Sequence, residues 1–290
     1  HRDLHSFPTR RSSDLAQVNN LDYFIHDQVK YNRRSEYDLL AVFSRALEEG
    51  QLFLVYQPKI DLKTNKTMGL EALIRWNHPQ RGLISPNHFI PLIEETKLIH
   101  KLTDFVLKET LVFIKQLLTK KIAIPISINV SPKNLSDLKF HERVIHMISQ
   151  YKVPKQYVKI EITESAIMVQ PKDSQYILEQ LVKHGVLVEL DDFGKGYSSL
   201  SSLSQFPIST IKIDRFFTQD MLVQQTTLEI VKSTIELSKR LHYSVLAEGV
   251  ENQETRDLLM ELQCDYAQGF FFCKPIEKES IVQMLLAEQA

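Results

Sequence analysis

The stretch Val186–Leu200, VLVELDDFGKGYSSL, joins an apolar run to two adjacent aspartates and a glycine-containing loop. Successive side chains of a strand point to opposite faces of a sheet, so Asp191 and Asp192 cannot both point inward from a regular strand. We therefore expect Asp191 to be the last inward-facing residue of a strand and Asp192 the first to leave strand geometry. Gly194 and Gly196 would then permit a sharp turn in the loop that follows.

Short strand-like segments of this kind recur along the chain. A helical stripe over residues 39–47 precedes QLFLVYQPKID (51–61) and MGLEALIRW (68–76), two consecutive strand-like segments that indicate a hairpin. Six further strands are predicted: IPISINV (124–130), YVKIEIT (157–163), VLVEL (186–190), STIKID (209–214), SVLAEG (244–249) and CDYAQG (264–269). Because these strands alternate with helices, they are expected to pair in parallel, and eight strands predict a closed α/β barrel.

Helices are predicted between these strands from their apolar periodicity. They lie near Pro86–Glu95, Leu98–Leu118, Phe140–Tyr151, Ser174–His184, Ser198–Leu203, Gln225–Leu241 and Gln253–Leu262, and a last helix closes the chain. We find no short internal repeat and no low-complexity tract. The pattern therefore predicts one barrel domain rather than a repeat array.

Composition and charge argue against several classes of protein. The chain has 290 residues, of which 43% are hydrophobic and 24% are charged, and its net charge is −1. This balance does not indicate a nucleic-acid polymer or a membrane surface as partner, while a small phosphorylated ligand stays open. Cys264 and Cys273 form neither a disulfide framework nor a metal-binding spacing, so a reduced, cytoplasmic setting is expected. No apolar run of about 18 residues, the length that could cross a membrane, occurs.

The chain is expected to divide into three parts. Residues 1–15, HRDLHSFPTRRSSDL, join no periodic pattern, and their RSSDL ending looks like translated sequencing-adapter DNA, so we expect this segment to be non-native. Residues 16–35 are weakly patterned and are expected to be a linker or the tail of a preceding domain. Residues 36–290 carry the barrel pattern.

Polar residues lie at or near the ends of seven successive predicted strands. They are Glu71, Arg75, Asn129, Glu161, Glu164, Asp191, Asp192, Lys212, Asp214, Glu248, Glu251 and Gln268. In an α/β barrel the carboxyl ends of the strands form the rim at which active sites lie. Carboxylate and amide oxygens are ligands that suit Mg²⁺ or Mn²⁺. Four of these residues are candidates to surround one ion: Glu71, Asn129, Glu161 and Asp191.

Each residue also has a simpler structural explanation when it is taken alone. Glu71 could cap its strand, and Asn129 could be a turn residue. The segment TES (163–165) could begin a helix. Lys212 could pair with Asp214, which lies on the same strand face. The functional interpretation depends on all of these residues occurring together and in order.

Seven motifs follow one another in the part of the chain from residue 36 to residue 290. They are EALIRWNHP (71–79), INVS (128–131), EITES (161–165), DDFGKGYSSL (191–200), IKID (211–214), AEGVE (247–251) and QGFFFCKP (268–275). Together they resemble the EAL domain, the family of cyclic di-GMP phosphodiesterases. The resemblance implies a modified TIM (β/α)8 barrel with an antiparallel first strand, in agreement with the predicted hairpin. Lys195 stands where the family more often has a small residue.

The resemblance also implies roles for individual residues. The implied metal ligands are Glu71, Asn129, Glu161, Asp191 and Asp192, with Asp191 bridging two Mg²⁺ or Mn²⁺ ions. The implied catalytic residues are Lys212, Glu248, Asp192 and Glu71. The substrate-binding residues are expected to be Arg75, Gln268, Asp214 and Gln57. Glu164 is implied to stabilise the loop after the fifth strand.

The function that the resemblance implies is metal-dependent hydrolysis of cyclic di-GMP to linear pGpG, which lowers the level of a bacterial second messenger. Lys212 could act as a base, orient the attacking water or neutralise the phosphate. Two alternatives stay open: a non-catalytic cyclic di-GMP receptor, and an enolase-type barrel, which would need a base facing an α-proton. Further expectations are a homodimer, and a parent protein with an upstream GGDEF or sensor domain and a membrane anchor.

Overall fold

The computed structural model describes residues 38–194 and 205–289 of the chain. The chain divides into two compact units, His1–Glu49 and Gly50–Ala290. The described structure of the first unit is a helix over residues 38–48, labelled α1. This helix agrees with the stripe predicted from the sequence.

Several sequence predictions concern segments outside the described residues. They are the non-native segment 1–15, the linker 16–35, Lys195, Gly196 and the helix near Ser198–Leu203. The boundary at residue 36 between linker and barrel also stays a prediction.

The second unit contains nine strands among its described residues, one more than the sequence predicted. They are β1 (Leu52–Asp61), β2 (Lys66–His78), β3 (Gly82–Ile84), β4 (Ile126–Asn129), β5 (Val158–Thr163), β6 (Leu187–Phe193), β7 (Thr210–Ile213), β8 (Ser244–Ala247) and β9 (Tyr266–Ala267). The additional strand, β3, pairs antiparallel with the end of β2. Its three residues are too few for a period to appear in the sequence.

The other eight strands close into a barrel. Their order is β1-β9-β8-β7-β6-β5-β4-β2, and β1 closes the ring by pairing with β2. Neighbouring strands pair in parallel around the ring, except that β1 is antiparallel to both β2 and β9. The prediction of an α/β barrel of the (β/α)8 type with an antiparallel first strand is therefore confirmed.

Ten α-helices of the second unit are described, besides a short 3-10 helix (Lys155–Tyr157) before β5. They are α2 (Pro86–Glu94), α3 (Leu98–Thr119), α4 (Pro132–Leu135), α5 (Phe140–Tyr151), α6 (Glu164–Val169), α7 (Pro171–Lys183), α8 (Arg215–Asp220), α9 (Gln225–Arg240), α10 (Gln253–Glu261) and α11 (Lys278–Gln289). The longer ones match the predicted helices closely. None of the helices described has both the length and the apolar character needed to cross a membrane.

Three short helices, α4, α6 and α8, begin within three residues of the end of a strand and are not among the predicted helices, although TES was considered as a possible helix start. Their caps are Ser131 for α4, Thr163 for α6 and Asp214 for α8, each of which accepts a hydrogen bond from a backbone N–H of the first turn. A cap satisfies one of the N–H groups that a helix start leaves unpaired, so it stabilises the change from strand to helix. The alternative that TES begins a helix is borne out for Thr163.

Alternate residues of the barrel strands point to opposite faces. In β5, Ile160 and Ile162 are buried on one face, while Lys159 and Glu161 occupy the other. Glu161 contacts Lys59 of β1, although β1 and β5 are not neighbours in the ring. The polar face of β5 therefore points into the barrel, and the apolar face points outward.

Candidate active site

The buried amino group of Lys212, on β7, lies at the centre of a carboxylate cluster. Its Nζ is 2.7 Å from Glu161 Oε2, 2.8 Å from Glu248 Oε1, 3.2 Å from Asp191 Oδ2 and 3.9 Å from Glu71 Oε2. Glu161 lies on β5, Asp191 on β6 and Glu71 on β2, and Glu248 directly follows β8. Four strands of the ring thus bring polar residues to one place, as expected for the carboxyl rim of a barrel.

The Glu71 carboxylate is held on both oxygens by amide side chains. Asn129 Nδ2 donates to Glu71 Oε1 at 2.8 Å, and Gln268 Nε2 donates to Glu71 Oε2 at 2.7 Å. Gln268 Nε2 also donates to Gln57 Oε1 at 2.9 Å, and Gln57 Nε2 donates to the Cys273 carbonyl oxygen at 3.0 Å. The predicted residues Gln57, Asn129 and Gln268 therefore fix the orientation of Glu71.

The backbone leaves regular strand geometry at the two adjacent aspartates. The pairing of β6 with β7 shifts register between Leu190 and Phe193, and Asp192 has a φ of 56°. The Asp192 N–H donates to Asp191 Oδ1 at 2.8 Å. Aspartate is one of the few residues besides glycine that adopt this left-handed conformation. The break expected from the sequence is therefore present, and both side chains line one cavity.

Two cavities meet this cluster. The larger has a volume of about 530 Å³, and its lining includes Arg75, Asn129, Thr163, Asp191 and Asp192. The smaller has a volume of about 200 Å³, and its lining includes Gln57, Glu71, Glu248, Gln268 and Phe270. Most of the residues predicted from the sequence are therefore accessible to a ligand from one cavity or the other.

Three predicted residues lie at the edge of this arrangement. Arg75 lines the larger cavity, and its Nη1 donates to the Ile74 carbonyl oxygen at 2.8 Å. Asp214 is buried, and its Oδ1 accepts a hydrogen bond from Phe216 N at the start of α8 at 2.8 Å. Glu164 is buried at the start of α6, and the loop that it was predicted to stabilise extends beyond the described residues.

The carboxylate cluster is short of positive charge. Burial raises the pKa of Glu161, and repulsion from Glu71 adds to the effect. Burial also raises the pKa of Asp191, to which repulsion from Glu161 adds. Burial also raises the pKa of Glu248 to about 8, against the attraction of Lys212. Burial alone would lower the pKa of Lys212, but the surrounding carboxylates raise it well above its ordinary value, so Lys212 is an ammonium ion.

A divalent cation fits the chemistry of this cluster. Its ligands are hard oxygens with excess negative charge, which suit Mg²⁺ or Mn²⁺. Gln268 Oε1 is also a buried acceptor that receives no hydrogen bond from the part of the chain that is described. Over residues 38–194 and 205–289, no three Asp, Glu, His or Cys side chains are already placed to hold one ion.

We expect the free energy of unfolding of the metal-free chain to fall as the pH rises from 4.5 to about 8. The Glu248 carboxyl binds its proton more tightly in the folded state, so deprotonation across this window costs stability. The raised pKa values of Glu161 and Asp191 act in the same direction. The pKa of Glu189 is lowered in the folded state, so titration of Glu189 changes the free energy of unfolding below pH 4.5 and not in this range. Urea titrations with a chelator present measure the slope, and an unchanged slope in Glu248→Gln would contradict this assignment.

Sequence reasoning missed a group of charged residues beneath the carboxylate cluster. Lys59, Lys159 and Glu189 are almost fully buried and contact one another or Glu161. Each lies two residues from a predicted site residue on the same strand: Lys59 from Gln57, Lys159 from Glu161, and Glu189 from Asp191. A period of two was therefore the signal that could have found them.

Comparisons with known proteins show what this chain is similar to. A family model described as EAL domain matches residues 41–275. The protein named cyclic di-GMP phosphodiesterase PA2567, from Pseudomonas aeruginosa, is 36% identical over 251 residues, which are 86% of this chain and 43% of that protein. Cyclic di-GMP phosphodiesterase RocR, from the same organism, is 35% identical over 276 residues, which are 92% of this chain and 70% of RocR. The chain thus spans less than half of the first relative.

Solved structures agree with this assignment. The structure described as "PaMucR Phosphodiesterase, c-di-GMP complex" has a TM-score of 0.81 and 36% sequence identity, and the match covers 84% of this chain and 99% of that one. All seven motifs lie within the residues that the family model matches. The chain belongs to the EAL domain family.

Proposed function

We propose that this chain hydrolyses one phosphodiester bond of cyclic di-GMP and releases linear pGpG, with two Mg²⁺ or Mn²⁺ ions as cofactors. The observation that carries the proposal is the cluster of four carboxylates from four strands within 4 Å of Lys212 Nζ. Relatives named as cyclic di-GMP phosphodiesterases support the choice of substrate. A receptor without catalytic function would not require all of these residues.

The proposed metal ligands are the five acidic and amide side chains assigned above: Glu71, Asn129, Glu161, Asp191 and Asp192. The left-handed backbone at Asp192 supports its inclusion, because this conformation brings the two adjacent aspartates to one cavity. When bound, the ions would activate a water molecule and stabilise charge on the phosphate. The hydrogen bonds from Asn129 and Gln268 hold the Glu71 carboxylate in place before any ion binds.

In the proposed reaction the water oxygen forms a bond to phosphorus, and the bond from phosphorus to a ribose 3′ oxygen breaks. The water loses a proton, and the ribose oxygen gains one. The carboxylates around Lys212 keep it an ammonium ion in the metal-free cluster, and in this state it is able to donate hydrogen bonds to the attacking water or to a phosphate oxygen. Glu248, which contacts Lys212, would keep its ammonium group directed at the reacting atoms.

The proposed substrate contacts include residues that line each of the two cavities. Arg75 supplies positive charge to the larger cavity, and guanidinium groups bind phosphate well. Gln268 faces the smaller cavity and is oriented by Gln57. Asp214 is kept as a proposed substrate contact, although its cap to α8 accounts for its position.

Purified chain incubated with cyclic di-GMP and Mg²⁺ or Mn²⁺ is expected to form pGpG. Excess EDTA should stop the reaction, and readdition of either ion should restore it, since the carboxylate cluster requires a dication for catalysis. Chromatography with mass detection measures the product. Binding of cyclic di-GMP without turnover would favour the receptor alternative instead. Exchange of an α-proton in a carboxylate substrate would favour an enolase-type reaction.

The cellular location, the oligomeric state and the neighbouring domains are a further part of the proposal. A cytoplasmic location, a homodimer and an upstream GGDEF or sensor domain stay predictions.

A further inference from the structure

A second ionic cluster lies inside the barrel beneath the carboxylates, and we call Lys59, Ser127, Lys159 and Glu189 the Lys59 cluster. Lys59 Nζ donates to Ser127 Oγ at 2.6 Å and also to Glu189 Oε2. Lys159 Nζ donates to Glu189 Oε1 at 2.8 Å, and Ser127 Oγ donates to Glu189 Oε2 at 2.8 Å. All four residues are buried. The cluster joins β1, β4, β5 and β6.

Glu161 connects this cluster to the candidate active site. Its Oε1 accepts a hydrogen bond from Lys59 Nζ at 2.5 Å, and its Oε2 accepts one from Lys212 Nζ at 2.7 Å. Oε2 is therefore on the side of Glu71 and Asp191, which also approach Lys212. Oε1 is the oxygen that Lys59 contacts. The two lysines, which bind one oxygen each, thus fix both the rotation of this carboxylate and its depth inside the barrel.

Lys59 reaches this position because β1 runs against the other strands. On β1 Gln57 pairs with Glu71 and Lys59 pairs with Gly69, so Lys59 lies one layer deeper in the barrel than Gln57. From there the Lys59 side chain extends across the interior to Glu161 of β5 and Glu189 of β6. Burial of a charged group is costly unless it is paired, and Glu161 together with Glu189 supplies that pairing.

We propose that Lys59 is a positioning residue that keeps Glu161 as a ligand through one oxygen, Oε2, by occupying the other. Glu189 and Ser127 in turn hold the ammonium group of Lys59. This inference rests on the proposed function, because it concerns the metal ligand Glu161. Groups that orient a metal ligand commonly contribute about 10- to 100-fold to metal affinity.

The test compares two substitutions in the same cluster. In Lys59→Met the dissociation constant for Mn²⁺, measured by electron paramagnetic resonance titration, is expected to rise about 10- to 100-fold. Lys159→Met is the matched control. Like Lys59→Met, it removes one lysine that contacts Glu189, but it leaves the Lys59–Glu161 hydrogen bond intact. Its Mn²⁺ affinity should stay close to that of the unmodified chain, although both variants lose stability. Equal Mn²⁺ affinities in the two variants would overturn the proposal.

A double variant separates positioning from stability. Lys59→Met with Glu189→Gln removes one charge of each sign, so the interior keeps its charge balance while Glu161 still lacks its partner. The Mn²⁺ affinity of the double variant is expected to stay as low as that of Lys59→Met. If the double variant instead regains the Mn²⁺ affinity of the unmodified chain, the inference is overturned. Failure of the unmodified chain to bind Mn²⁺ or to form pGpG would instead refute the proposed function.

Discussion

Replacement of Glu71 by alanine is expected to lower kcat for cyclic di-GMP by about 10³-fold or more. The Glu71 carboxylate accepts hydrogen bonds from Asn129 and Gln268 and approaches Lys212, so its removal takes one contact from each of three polar groups of the site. It also removes one of the proposed metal ligands. Steady-state measurement of pGpG formation, together with an Mn²⁺ titration, checks both effects.

Two further variants sharpen this test. Glu71→Gln keeps the size of the side chain, but its amide group carries no negative charge and only one oxygen acceptor, so it should lose nearly as much activity. Glu254→Gln changes an exposed glutamate in the first turn of α10 and should leave kcat unchanged. Full activity of Glu71→Ala would refute the metal assignment, whatever the stability of that variant.

Replacement of Lys212 by methionine is expected to affect both folding and catalysis. Removal of one partner from a buried ion pair typically costs about 3–5 kcal/mol, and here Glu248 and Asp191 would lose the Lys212 cation while Glu161 would keep only Lys59. The value of kcat should fall by about 10²- to 10⁴-fold, because the proposed hydrogen bond to water or phosphate is lost. Urea titration measures the first effect, and pGpG formation by folded protein measures the second.

Metal ions provide the control for this variant. An ion that binds the folded state alone stabilises it by mass action, so Mn²⁺ should restore part of the stability of Lys212→Met. Lys278→Met, which changes an exposed lysine at the start of α11, should alter neither quantity. An unchanged free energy of unfolding in Lys212→Met would contradict the electrostatic account of the cluster. Unchanged kcat would contradict the proposed role of Lys212 in the reaction.

The sequence was sufficient to predict most of the fold. Strands such as YVKIEIT and SVLAEG are short apolar runs between amphipathic helices, and that alternation specified the parallel part of the barrel. The elements that were missed are short. β3 has three residues and α4 has four, so neither can show a period, and both depend on what precedes them in the chain.

The candidate site was predictable where polar residues lie at or near the carboxyl end of a predicted strand, whereas the charged residues beneath the carboxylate cluster were missed. Asp191 and Glu248 stand at strand ends, where a barrel collects functional groups. Lys59 and Glu189 stand inside apolar segments, and nothing local indicates that their partners lie across the interior. Their pairing depends on the register of strands far apart in sequence, which the pattern of a single segment does not contain.

The reversed direction of β1 has a practical consequence for tethering the protein. The turn from β1 to β2 lies at the end of the barrel opposite the cavities, since Thr67 precedes Glu71 by four residues, or about 13 Å of strand. The end of α11 reaches this same turn, where Glu288 accepts hydrogen bonds from Thr67 N and Thr67 Oγ1 at 3.0 and 2.7 Å. A surface linker attached after α11 therefore leaves the cavities open to ligand, whereas one attached at the start of β1 would lie at the cavity end.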